Sequence, residues 1–150
     1  MKKSTLEALL KAADKQIQEF VAAGELSANQ QQAIAHAQKA LIHAQLKQWA
    51  EAAEEYDAAI ALCNPDSDAI EDKASIALNQ YGKAIALFHL PERREETREA
   101  IELALKLALE IGHTHLAAKG YFFLASLHRE AGDILSALKA NSRALRLDRK

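Results

Sequence analysis

The residues in this sequence that could do chemistry are six histidines, one cysteine and two crowded acidic stretches. Glu110 and His113 stand in the E-x-x-H spacing that helical di-iron sites use, but such a site needs a second copy and two further inward glutamates. The chain has one copy, with Gly112 inside it, so no metal and no other cofactor is expected. His113 and His115 flank a turn and should face water, while the plain reading of His36, His43 and His128 is of partly buried histidines packing between helices. Cys63 follows a helical stretch instead of opening one and has no histidine near it in sequence, so nothing there would activate the thiol. It reads as a small apolar filler. In Glu54-Glu55-Asp57 and Glu95-Glu96 the carboxylates occupy successive helical positions, which point in different directions and cannot converge as an acid and a base. Phosphate-cradling glycine loops, H-E-x-x-H and G-x-S-x-G are all absent. The expectation is therefore a protein that is not an enzyme.

What positions these residues is a row of helices. Ala, Leu, Glu, Lys, Gln and Arg dominate, against two prolines, five glycines and 5% aromatic residues, a composition of good helix formers with few breakers. Ser4 to Glu7 and Ser27 to Gln30 fit the capping box that opens a helix. Seven helices are predicted. The first ends before Gly24; the second spans about Ser27 to Leu46, and the third about Gln48 to Leu62. A fourth runs from near Asp66 or Asp68 to the break at Leu90-Pro91, and a fifth from there to Gly112. The sixth lies between Thr114 and Ala131, and Gly132-Asp133 stop it and cap the seventh. Short connections make successive helices antiparallel hairpins.

Small residues repeat along these hairpins. Ala59, Ala104 and Ala144 are spaced by about 45 and then about 40 residues. The stretch with Tyr121, Leu124, Ala125 and His128, the Gly132-Asp133 turn, then Ala137, Ala144 and Leu145 resembles a tetratricopeptide repeat along its length. An earlier stretch is similar, with Ala40, Trp49, Ala52, Tyr56, Ala59, Ile60 and Pro65, although Lys47 stands where the turn glycine would be. The middle unit matches least: Gly82 fits the small position, but FHLPERREET lengthens the loop. The resemblance implies an all-α fold of antiparallel hairpins stacked as a short right-handed superhelix. Residues 1–150 would form one domain: an N-terminal helix (1–26), then repeats at 27–65, 66–112 and 113–150. It also implies a concave groove lined by Ala37, Gln38, Leu41 and Gln45, by Asn79, Gln80 and Lys83, and by Phe122, Phe123, Ser126 and Arg129. Ala37 and Leu41 stand where the chaperone-binding members of the family carry polar clamp residues, so chaperone tails are not the expected ligand.

The functional expectation is an adaptor or scaffold that binds a peptide or helix of another protein, with Phe122 as the aromatic anchor. The N-terminal helix could cap the stack, mediate a homodimer or occupy the groove. Lys139, Arg143, Arg146 and Lys150 form a basic stripe whose alternative uses are RNA backbone or an acidic partner, against the simple favour of a helix dipole for cations. No aromatic interleaves with it, so nucleic acid is not the favoured partner. A small helical metal protein is the remaining alternative. The net charge of −2 gives no global pull toward nucleic acid or an anionic membrane. One cysteine excludes an internal disulfide, and charges interrupt the apolar stretch of MKKSTLEALLKAADK, so a cytoplasmic location is expected.

Overall fold

The computed structural model describes residues 28–148 together with 4, 5, 7–9, 11, 12, 15, 18 and 19. The predicted first helix lies largely outside the described residues; those described in it are helical. From there the chain forms α1 (Ala28–Gln45), α2 (Trp49–Ala61), α3 (Ile70–Phe88), a 3-10 turn (Pro91–Arg93), α4 (Arg94–Ile111), α5 (Thr114–Glu130) and α6 (Ile134–Asp148). Among the described residues there is no strand, and no helix is long and apolar enough to cross a membrane.

Three helix ends close in one way. Gly112 donates its N–H to Leu109 O (3.3 Å) and His113 to Ala108 O (2.9 Å); Gly132 donates to Arg129 O (3.0 Å) and Asp133 to His128 O (2.8 Å). Lys47 and Gln48 repeat the pair on Ala44 O (3.0 Å) and His43 O (2.9 Å). This closure satisfies the last carbonyls of a helix only if the turning residue adopts a left-handed conformation. Gly112, Gly132 and Lys47 do so, at φ 73°, 83° and 60°. The next helices start from side-chain caps at two of these sites. His113 Nδ1 accepts from Leu116 N (3.2 Å), and Asp133 Oδ1 accepts from Ser136 N (3.1 Å).

Helix α3 begins later than the sequence suggests. Asn64 Oδ1 accepts from Asp66 N (3.0 Å) and Ser67 Oγ from Ala69 N (3.1 Å), so local side-chain turns take the backbone donors that a helix would have used.

Each helix packs mainly on the one before it and the one after it, which gives an array of hairpins α1/α2, α3/α4 and α5/α6. The core is correspondingly serial. Ala52 and Ala53 of α2 meet Ala86 and Leu87 of α3; Ala84 of α3 meets Ala100 and Ile101 of α4 and Leu127 of α5. Leu105 and Ala108 of α4 meet Leu116 and Ala117 of α5, and Ala125 of α5 meets Ala137 and Ala140 of α6. Alanine lets helix axes approach closely, and larger groups fill the flanks. Phe123 does so edge-on to Phe88 with centroids 5.3 Å apart. At Gly82 an added Cβ would overlap the ring of Tyr56, which is where α3 crosses α2.

Candidate functional site

The helices that open each hairpin leave one face uncovered. On α1 it carries Ile34, Gln38, Leu41 and Gln45, which follow at four, three and four residue steps and are all exposed. On α3 it carries Leu78 and Ile85, and on α5 His115, Lys119, Phe122, Ser126 and Arg129. Between α1 and α3 these faces enclose a trough of about 250 Å³, walled by Ile34, Ala37, Gln38 and Leu41 on one side and Ser75, Leu78 and Asn79 on the other. A neighbouring hollow of about 260 Å³ shares Ile34 and Ser75 and extends it toward Cys63, Glu71 and Asp72. At the opposite end Gln38 and Leu41, with Ile42, also wall a cavity of about 640 Å³ whose other side is Leu9, Ala12, Lys15 and Glu19.

The structure thus brings Gln38, Leu41 and Asn79 together, with Gln45 further along the same face of α1. Asn79 is only 7% exposed, and its Nδ2 donates to Ser75 O at 2.9 Å, so it borders the trough without presenting a free amide. Lys83 turns the other way, its Nζ 2.8 Å from Asp57 Oδ1 on α2, and Gln80 is buried. Gly82 meets the ring of Tyr56 on α2, and α3 leaves Leu78 and Ile85 exposed. Those two and Ile34 were not singled out from sequence. The signal was present: Leu78 and Ile85 are seven residues apart, hence on one helix face, and no hairpin contact needed them.

On α5, Phe122 is 38% exposed while its neighbour Phe123 packs on Phe88 and Tyr81. Ser126 Oγ donates to Phe122 O (3.3 Å) and accepts from Arg129 Nη2 (3.5 Å), so these three form one small patch, which is not part of the α1/α3 trough.

The histidines and carboxylates of the sequence are used as struts. His36 Nδ1 and Lys39 Nζ lie 3.0 and 3.5 Å from Glu55 Oε2, linking α1 to α2, and His43 Nδ1 is 2.6 Å from Gln48 Oε1. Glu55 and Asp57, which do not converge with each other, instead hold cations, while Glu54 is exposed. His113, expected to face water, caps α5. Glu96 is gripped by Arg93 at 2.6 and 2.8 Å, and that hydrogen bond holds its carboxyl below the usual glutamate range. Arg94 does the same for Glu130 while donating to Phe88 O at 2.8 Å, which ties α3, α4 and α5 together. Burial pushes the Tyr56 hydroxyl above its ordinary value. Cys63 Sγ lies 3.5 Å from Ala59 O and from Ser75 Oγ. No three His, Cys, Asp or Glu side chains among the described residues are grouped to hold a metal ion. Lys139, Arg143 and Arg146 are exposed on α6; Lys150 lies outside the described residues.

No protein-family model matches this chain, and no curated protein matches it.

Proposed function

We propose that this protein is a non-enzymatic, cytoplasmic adaptor of the tetratricopeptide-like kind that holds a peptide or helix of another protein against the open faces of α1 and α3. The supporting observation is the trough between them, on which the exposed side chains of Ile34, Leu41 and Leu78 converge. Surface of this kind, concave and apolar with the exposed amide of Gln38 at its border, suits an amphipathic segment: side chains fill the trough, and that amide helps select its register. The described N-terminal residues Leu9 and Ala12 lie across a cavity from Leu41, which favours a covering role for that segment at the α1 end of the array.

Partner capture with the full chain, followed by Leu41→Glu/Leu78→Glu, tests the reading. Both side chains are exposed, so the melting temperature should hold while affinity for the captured partner falls about ten- to a hundred-fold, the worth of one or two buried leucines. Undiminished binding by the folded double variant would remove the trough from consideration.

A further inference from the structure

Helix α6 carries a second apolar surface, independent of the trough. Ala137, Ala140 and Ala144 face the core, while on the opposite side Ile134, Leu135, Leu138 and Leu145 are 50–65% exposed. The array itself shows what such a surface is for. Forty residues before Leu145, Leu105 holds the same place on α4 and is 8% exposed, because α5 lies over it at Gly120. Ala53, the counterpart of Leu138 on α2, is fully buried beside Ala86 and Leu87 of α3. The array thus seats a following helix at the Leu145 position on α4 and at the Leu138 position on α2, although Arg98, forty residues before Leu138, is exposed; among the described residues nothing covers either leucine of α6.

One edge of this leucine stripe is basic. Lys139, Arg143 and Arg146 run along it, whereas Asn141 and Asp148 lie on the other edge. Arg143 and Arg146 line a notch of about 170 Å³ with Leu109, Tyr121 and Leu147. The Arg143 guanidinium stands 5.9 Å from the Tyr121 ring centroid, and Arg146 reaches only Ser142 Oγ at 3.5 Å. Among the described residues neither makes an ion pair.

We propose that this face docks an amphipathic helix of a partner protein whose apolar stripe covers Leu138 and Leu145 and whose flanking glutamate or aspartate enters the notch between Arg143 and Arg146. Paired guanidiniums beside an apolar floor suit a carboxylate on a helix edge, since desolvation by the packed leucines strengthens the charge-assisted hydrogen bonds. Charge also selects this occupant over two others. In an antiparallel two-fold pair of α6 helices each edge meets its own copy, which sets Arg143 and Arg146 against the same cations, and a parallel pair aligns the helix dipoles side by side. A lipid surface touches both edges and meets Asp148 as well as the arginines.

The test uses the full chain and two synthetic helical peptides that share one leucine stripe and carry glutamates or lysines along one edge. Fluorescence anisotropy should show the glutamate peptide binding at least about ten-fold tighter than the lysine peptide. Arg143→Glu/Arg146→Glu should reverse that preference, and Leu138→Gln/Leu145→Gln should weaken both peptides, with circular dichroism and melting unchanged in each variant. Equal affinity for the two peptides, no binding of either, or unaltered binding by the folded variants overturns the proposal. Self-association in sedimentation that disappears in Leu138→Gln/Leu145→Gln would assign the face to a second copy. Binding to anionic phosphatidylserine vesicles without the glutamate preference would assign it to a membrane.

Discussion

Lys47 shows how a single backbone angle reports on the whole turn. It sits at φ 60° and closes α1 with the hydrogen bonds that Gly112 and Gly132 make at their helix ends. A lysine Cβ crowds the neighbouring carbonyl in this conformation, and glycine does not. Lys47→Gly should therefore stabilise the fold by about 1 kcal/mol, because relief of strain exceeds the extra chain entropy of glycine in the unfolded state. Urea unfolding at fixed pH measures it; an unchanged or lowered midpoint would show that the left-handed angle carries no strain. Sequence comparison within the chain already exposed this residue as the departure at a turn position. It could not show that the same closure is kept without glycine, since that depends on the carbonyls of His43 and Ala44 remaining in reach.

At the level of elements, caps decide where helices start. Hydrogen bonds from Ser136 hold the Asp133 carboxyl below its ordinary value at the start of α6. A carboxyl depressed in the folded state stabilises fully above its unfolded value, about 4, and loses that contribution as pH falls through the lower folded value. Asp133→Ala should lower the melting temperature at neutral pH, and the gap to the parent should close as pH falls below about 4. Melting temperatures recorded across that range decide it; a pH-independent gap would mean that Asp133 acts by packing. Helix existence, the break at Leu90-Pro91, the Gly112 and Gly132 stops and the Asp133 cap were legible because each depends on neighbours in sequence, although Pro91 opens a 3-10 turn and α4 itself starts at Arg94. Less legible was the rotation of α3 about its axis. Lys83 pairs with Asp57, 26 positions away, and Leu78 and Ile85 are exposed instead, which sequence neighbours do not determine. On α1, Gln38, Leu41 and Gln45, which the resemblance placed along the groove, are exposed on one helix face.

For the molecule as a whole, the serial core implies graded stability. Helices α3 and α4 are packed on both sides, and Arg94 with Lys83 adds ties outward from that central hairpin. Among the described residues, helices α1 and α6 have a packed helix of the array on one side only, so opening from either end breaks fewer contacts. Native-state hydrogen exchange should find the amides of α3 and α4 the slowest, with α1 and α6 exchanging faster; uniform protection through all six helices would contradict a nearest-neighbour array. The α6 leucines add a corollary, because a ligand on that face would slow exchange chiefly in the last hairpin.

The two joints between hairpins differ in length. Residues 112–113 alone connect α4 to α5, whereas residues 62–69, with their Asn64 and Ser67 turns, connect α2 to α3. The trough lies across the longer of the two, so its walls are carried by units with a spacer between them. Evolution or design could thus adjust the gap to a thinner or bulkier guest by adding or deleting turn residues there, leaving every helix contact elsewhere as it stands.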